Sequence, residues 1–99
     1  MFHKQVVLLE QVYDDLEQGK QFYNSIEVGV GNYFISCLLS DLQSLKYYPG
    51  IHKVVHGFNQ ALSKRFPYAI YYTIINEEIV VVAILDMRQN PQSIKKRLS

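Results

Sequence analysis

The stretch "RFPYAIYYTIINEEIVVVAILDMRQNP", residues 65–91, decides the fold. It contains two runs, 68–75 and 78–85, that are apolar on both faces, which is typical of strands in the middle of a sheet with a layer packed on each side. A short turn around residues 76–78 separates the runs, so they are expected to pair as an antiparallel hairpin, with Ile70 buried. Arg88 follows the second run, where a rigid scaffold can present it to a partner.

A short strand and a first helix are predicted before this hairpin. Residues 4–10, "KQVVLLE", predict the strand. From residue 14 the apolar period becomes that of a helix, with one stripe formed by Leu16, Gly19, Tyr23 and Ile26. Asp14 and Asp15 stand at the predicted start of this helix, where carboxylates can accept hydrogen bonds from free N–H groups.

A second helix is predicted after the glycine-containing break "EVGVGN" at residues 27–32. Its stripe consists of Phe34, Leu38, Leu42 and Leu45, widened by Val30, Ile35 and Leu39. "YYPG", residues 47–50, ends it, because proline disfavours helix in the residue before it. Two helices joined by a short glycine loop predict an antiparallel hairpin.

The rest of the chain predicts a strand and a closing helix. Residues 51–57 predict a basic, irregular connection, and residues 58–65 a strand with one wetter face. Asn90 and Pro91 begin the closing helix, which carries cations in its last turn. The order β-α-α-β-β-β-α predicts one α+β domain over residues 1–99, with the helical hairpin and a short C-terminal helix packed on a small, mostly antiparallel sheet.

Composition excludes several other classes. With 99 residues, 48% hydrophobic and 19% charged, the chain is expected to be globular. The single cysteine, Cys37, excludes an internal disulfide and a Cys-based zinc site, and we expect it to be a buried small hydrophobe. The apolar core of residues 1–11 is too short for a signal peptide, and no run can span a bilayer, so we expect a cytoplasmic protein without a membrane partner.

Charge is divided unequally along the chain. The first fifty residues carry three Lys and Arg against six Asp and Glu, a net of −3, whereas the remaining residues carry seven against three, a net of +4. Such asymmetry can indicate an acidic partner for the second half, although an ordinary solvated surface produces it as well.

The strongest candidate site combines Arg88 with Lys64 and Arg65, which stand near the end of another predicted strand. Guanidinium groups bind phosphate or carboxylate in bidentate fashion, so these cations could converge on such a group. The alternative is a surface arginine paired with Asp86 or with a helix carboxylate. His52 and His56 are expected to form an exposed pair in a basic loop; no third metal ligand accompanies them, and neither a metal nor a cofactor is predicted.

"KRFPYAIYYTI", a short turn, "VVVAILDMRQNP" and a terminal basic helix resemble the RelE/ParE superfamily of bacterial toxins, and "DDLEQGKQFYNSIEVGVGNYFISCLLSDLQSL" resembles its helical hairpin. The resemblance implies a plasmid-stabilisation type toxin of a type II toxin–antitoxin pair, silenced by an antitoxin protein. RelE-like members cut messenger RNA on the ribosome, whereas ParE-like members inhibit DNA gyrase without known hydrolytic chemistry.

The resemblance favours the ParE-like branch. Arg88 matches the family's arginine after the last strand, and Lys64 or Arg65 matches its basic residue before the central strand. The C-terminal aromatic or histidine of the nucleases falls near Ile94, which has no acid–base chemistry, and a further nuclease arginine falls near Ala69. A net charge of +1 is also low for a protein that must enter ribosomal RNA.

Three hypotheses follow: a gyrase inhibitor, an mRNA endoribonuclease, and an inactive relic or interaction domain. The partners implied are a cognate antitoxin and DNA gyrase, or the ribosome and messenger RNA, with no sequence-specific DNA binding by the toxin alone. For a nuclease the catalytic candidates are Arg88, Arg65, Lys64 and His56. The target-binding candidates are the cations of the C-terminal half: Arg88, Arg65, Lys64, Lys53, Lys95, Lys96 and Arg97.

Overall fold

The computed structural model describes residues 4–99. The elements, in chain order, are β1 (Gln5–Leu8), α1 (Glu10–Ile26), α2 (Val30–Ser44), β2 (Val54–Val55), β3 (Phe58–Leu62), β4 (Tyr68–Ile75), β5 (Glu78–Asp86) and α3 (Pro91–Leu98). The predicted order is confirmed, with one addition: the connection predicted as irregular contains the two-residue strand β2. The signal-peptide argument involved residues 1–3, which lie outside the described part.

The five strands form one sheet in the order β1-β5-β4-β3-β2. β1 pairs with β5 in parallel, and the other neighbours are antiparallel. The two strands that are apolar on both faces therefore occupy the middle of the described sheet, as predicted. None of the helices in residues 4–99 combines the length and apolar character that crossing a bilayer requires.

A β-bulge resets the alternation of side chains along β5. Tyr71 pairs with Ala83 but Tyr72 pairs with Val81, so Val82 is an extra residue in the ladder. Because of this extra residue, Ile84 joins Val81 in the core under the helical hairpin. The bulge thereby sets which face of the sheet the residues at the end of β5 occupy.

Each face of the sheet has its own apolar core. The larger core joins the helical hairpin to Ile70, Tyr72 and Ile79, which are fully buried, so the predicted burial of Ile70 is confirmed. The smaller core lies on the opposite face, where α3 places Ile94 and Leu98 against the sheet. Because a core packs on each face of the sheet, both central strands carry apolar residues on both of their faces.

Several predicted details of the helices were wrong. α1 begins at Glu10, with Leu9 at the N-cap position making no side-chain bond, so Asp14 and Asp15 do not cap it. Ile26, predicted in the buried stripe, is exposed because it is the last residue of α1. Leu39, expected to widen the buried stripe of α2, is also exposed.

The predicted burial of Cys37 and the predicted end of β3 also differ from the structure. Cys37 is a free cysteine and only half-buried, because it lies beside the buried stripe rather than on it. β3 ends at Leu62 rather than at residue 65, because the N–H of Ser63 donates to the carbonyl of Tyr68 and closes a tight connection to β4.

The predicted start of α3 is confirmed. The Asn90 side chain accepts a hydrogen bond from the backbone N–H of Gln92 at 2.8 Å, and Pro91 is the first residue of α3.

In the α1–α2 loop, the Asn24 side-chain oxygen accepts hydrogen bonds from the N–H groups of Gly29 and Gly31. The helices pack so closely there that a Cβ on Gly31 would lie 2.3 Å from the carbonyl oxygen of Lys20.

Candidate functional site

Arg88 lies in the turn after β5 and is held there by Asp86. Its Nε donates to Asp86 Oδ1 at 3.0 Å and its Nη2 to Oδ2 at 2.8 Å, while its backbone N–H donates to Oδ1 at 2.8 Å. These bonds raise the pKa of Arg88 and hold the pKa of Asp86 below its ordinary value. The pairing with Asp86 that the sequence offered as an alternative is therefore present.

The guanidinium of Arg88 reaches the helical hairpin. Nη2 also donates to the Tyr23 hydroxyl at 3.2 Å, and the guanidinium carbon lies 5.7 Å from the centre of the Phe22 ring. Both aromatic residues belong to α1. The bulge in β5 makes this possible, because it brings Asp86 to the face of the sheet that the hairpin covers.

Further aromatic side chains pack beside Tyr23 on this face. Phe66 packs edge-on against Tyr23 at 4.8 Å between ring centres, and Tyr33 lies 5.8 Å from Phe66. Phe22 remains 46% exposed and Tyr33 50% exposed, although both are large and apolar. We call Arg88, Phe22, Tyr23, Tyr33 and Phe66 the Arg88 aromatic surface.

A cleft of about 440 Å³ borders the Arg88 aromatic surface between α1 and α3. Gln18, Asp86 and Gln89 contribute polar groups to its lining. Tyr68, also in the lining, is buried, and burial followed by the nearby charge of Asp86 raises its pKa to about 12. The Tyr68 hydroxyl is therefore neutral at physiological pH and is poorly suited to act as a base.

Asp15 and Arg97 close the far side of the cleft. Arg97 donates to both carboxylate oxygens of Asp15, at 2.7 and 2.8 Å, and the backbone N–H of Ile84 donates to Asp15 Oδ2 at 3.0 Å. β1 pairs with β5 only as far as Val81, so none of the described strands bonds Ile84 on that side. The hydrogen bonds with Asp15 raise the pKa of Arg97. The Arg97 cation is therefore bound within the fold and is not free on the surface.

The predicted convergence of Lys64 and Arg65 on Arg88 stays a prediction. Lys64 lines a separate pocket at the end of α2, and Arg65 is exposed in the loop before β4. Within residues 4–99 the ion pairs are those of Arg88 with Asp86 and of Arg97 with Asp15. The other cationic candidates are exposed on the described surface: Lys53, Lys95 and Lys96.

The prediction that the two histidines form an exposed pair was wrong. His56 is exposed in the β2–β3 turn with φ of 51°, but His52 is half-buried. The His52 Nδ1 lies 2.5 Å from the Tyr72 hydroxyl, and burial lowers the pKa of His52. No three His, Cys, Asp or Glu side chains in the described chain are grouped as metal ligands would be.

Ala69 and Ile94, near which the resemblance would place reactive side chains of the nucleases, are apolar and buried here. Ala69 is fully enclosed and Ile94 is buried, and both belong to the core between α3 and the sheet. Arg88 makes its contacts on the opposite face, with α1. The arginine and these two positions therefore do not form one site.

Sequence reasoning found Arg88 but missed most of its surroundings. Tyr23 was assigned to the buried stripe of α1, and its hydroxyl contact with Arg88 could not be read from spacing alone. For Asp15 a signal existed: it lies between Val12 and Leu16 on the inward-facing stripe, where a carboxylate requires a buried partner.

Comparison with known proteins supports the fold. Neither the protein-family models nor the curated proteins contain a match to the sequence. A solved chain described as "Chromosomal ParDE TA system from P. aeruginosa" has the same fold, with a TM-score of 0.78 and 13% identity, over 87% of this chain and 98% of that one. The resemblance to the RelE/ParE superfamily is thus confirmed for the fold.

Proposed function

We propose that this chain is the toxin of a type II toxin–antitoxin pair and that it inhibits DNA gyrase by binding it through the Arg88 aromatic surface. The shared fold with a chain of a ParDE system supports the toxin class. The choice of a protein target over an RNA rests on the chemistry around Arg88.

The observation that carries this choice is the environment of the Arg88 guanidinium. Asp86 and Tyr23 already bind it, and the partly exposed Phe22 ring lies beside it. Arginine and tyrosine among partly exposed aromatic side chains are typical of the energetic centre of protein–protein interfaces. A nuclease site needs cations free to stabilise a phosphate in the transition state, whereas the Asp86 carboxylate binds the Arg88 guanidinium here.

The RelE-like alternative requires a different arrangement. Arg88 would have to leave Asp86, and a proton donor would have to replace the apolar Ile94. His56 is the exposed histidine that could supply acid–base chemistry, so its variant belongs in the test. We favour gyrase because binding through the Arg88 aromatic surface needs no such rearrangement.

We infer that an antitoxin segment covers the open edge of the sheet at β1. Beside this strand, Val6, Leu8 and Leu39 line an apolar groove, and Leu39 is 47% exposed on the described chain. Lys4 and Lys46 border an adjoining opening, so the segment should combine apolar and acidic residues.

Induced expression, with DNA-damage response and translation rate followed in parallel, tests the proposed function. We expect growth arrest with induction of the damage response, and relief when the neighbouring gene is co-expressed. Arg88→Ala should weaken the arrest, whereas Glu77→Gln, which alters an exposed charge in the β4–β5 turn, should not. Arrest of translation that depends on His56 would favour the nuclease, and normal growth with folded protein present would contradict a toxin.

A further inference from the structure

A small pocket lies where the end of α2 meets the outer edge of β3. Its volume is about 200 Å³. Sites for whole small ligands usually enclose about 300–1,000 Å³, so this pocket suits one long side chain better than a free metabolite. We call it the Asp41 pocket, and the lining residues that matter are Asp41, Tyr48, Ile51, His52, Leu62 and Lys64.

A buried carboxylate forms the polar part of the Asp41 pocket. Asp41 is only 9% exposed, and the Ser63 hydroxyl donates to its Oδ2 at 2.6 Å. No Lys, Arg or His nitrogen of the described chain lies within ion-pair distance of it, because the ion pairs there involve Asp15 and Asp86. A buried carboxylate without a cation is costly, so a cation supplied from outside would be favoured.

Apolar side chains that remain exposed surround this carboxylate. Tyr48, Ile51 and Leu62 all line the pocket, yet each keeps more than half of its surface in solvent. Large exposed apolar groups around a polar pocket are characteristic of binding surfaces. They would contact the residues that flank an inserted cationic side chain.

The walls of the Asp41 pocket are fixed in advance. The Tyr72 hydroxyl accepts a hydrogen bond from the N–H of Gly50 at 3.0 Å and contacts His52, which fastens the loop after α2 to the sheet. A site that needs little ordering loses less of its interaction energy on binding.

The edge of β3 beside the pocket is open. β2 pairs only with Phe58 and Asn59, and the N–H of Gln60 donates outward to the carbonyl of Lys53. By the alternation of an antiparallel strand, the backbone groups of Leu62 also face outward, and no described strand pairs with them. An extended segment can bind such an edge through its own backbone.

We propose that the Asp41 pocket docks an extended protein segment that presents one arginine or lysine between apolar residues. The cation would bind the Asp41 carboxylate, and the flanking residues would contact Tyr48, Ile51 and Leu62. This proposal goes beyond the toxin function and does not depend on it, since the Asp41 pocket shares no residue with the Arg88 aromatic surface.

The test uses the tripeptide acetyl-Leu-Arg-Leu-amide, titrated into the ¹⁵N-labelled full chain and followed by the backbone amide signals. We expect the signals of Leu62, Ser63 and Lys64 to shift, with a dissociation constant on the order of 1 mM. The matched peptide with citrulline, which keeps the shape and loses the charge, should bind at least about ten-fold more weakly.

Two oppositely charged lining residues provide the control. Asp41→Asn keeps an oxygen for Ser63 but should weaken the arginine peptide about ten-fold or more, whereas Lys64→Gln should leave it unchanged or strengthen it. Ser63→Ala removes the hydroxyl that donates to Asp41 but retains the Asp41 carboxylate, so this variant should still bind the arginine peptide. The proposal would be overturned if both peptides bind equally well, or if no amide signal near Ser63 shifts. It would also be overturned if Lys64→Gln weakens binding while Asp41→Asn does not. If Asp41→Asn fails to fold, the citrulline peptide and Lys64→Gln decide the outcome.

Discussion

Arg97 and Asp15, 82 residues apart in the chain, form a two-pronged ion pair with donor–acceptor distances of 2.7 and 2.8 Å. The same carboxylate accepts the backbone N–H of Ile84. One buried side chain of α1 therefore holds both the end of β5 and the C-terminal helix. This arrangement fastens α3 to the sheet at the point where β1 no longer covers β5.

Loss of Arg97 should be costly because it leaves the Asp15 carboxylate buried without its cation. We expect Arg97→Gln to lower the free energy of unfolding by about 3 kcal/mol in urea denaturation. The neighbouring Lys96→Gln, at an exposed position, should change it by no more than about 0.5 kcal/mol. The double variant Asp15→Asn/Arg97→Gln should lose less than Arg97→Gln alone; equal losses for Arg97→Gln and Lys96→Gln would show that the pair is not structural.

β4 offers a matched comparison of buried and exposed positions on one strand. Ile70 is fully buried and Ile75 is 51% exposed. Ile70→Asp should abolish cooperative unfolding, since it places an unpaired charge in the core. Ile75→Lys should be tolerated, because position 75 faces Glu78 in the strand register. A cooperative melting curve for Ile70→Asp, measured by circular dichroism, would contradict the central position of β4.

The fold was largely predictable because its centre is encoded locally. The two strands between Tyr68 and Asp86 are adjacent in sequence and apolar on both faces, and the Asn90–Pro91 pair has a strong helix-start signal. The two-residue β2 was missed because pairing with β3, rather than its own composition, defines it. The bulge at Val82 was missed for the same reason, since a uniform run of strand formers does not reveal its register.

The candidate site was predictable only in part. Arg88 was identified from its place after the last strand, but Tyr23 comes from a helix 65 residues earlier. Contacts over such separations depend on packing angles that no local pattern specifies. Lys64 lines the Asp41 pocket and Arg88 contacts α1, and the expected convergence of Lys64 and Arg65 on Arg88 stays a prediction.

His52 should make stability depend on pH near neutrality. Its pKa in the folded chain is lower than the ordinary value of about 6.5, because burial disfavours the charged ring. The unfolded chain therefore binds the proton more readily, and stability should fall as the pH drops from about 6.5 towards the lower folded pKa. Tyr72, Tyr48, Asp41 and Lys64 are ionisable groups that adjoin the ring or its pocket.

His52→Gln should flatten this dependence. Urea denaturation of the wild type and of His52→Gln at several pH values between about 5 and 7.5 measures it. The contribution of Asp86, whose folded pKa is also lowered, is lost only at lower pH, as the pH falls below the ordinary value of about 3.9, so the two effects can be separated. Identical pH dependence of the two proteins would exclude His52 as the cause.

The central claim is that the Arg88 aromatic surface binds a protein and is not a reaction centre. Truncation of one binding residue usually costs about ten-fold in affinity, whereas removal of a transition-state contact usually costs about 100-fold or more in rate. Arg88→Ala and Phe22→Ala should therefore each weaken binding by about ten-fold. Glu77→Gln, at an exposed position in the β4–β5 turn, serves as the control that should not weaken binding.

The most direct measurement titrates the purified chain into a supercoiling assay with DNA gyrase, and in parallel into programmed ribosomes. We expect inhibition of gyrase and intact messenger RNA, with the inhibitory concentration raised about ten-fold by Arg88→Ala and by Phe22→Ala. Unaffected gyrase would contradict the account. Cleavage of messenger RNA in the ribosomal A site that Arg88→Ala abolishes would contradict it as well and would identify the chain as an endoribonuclease.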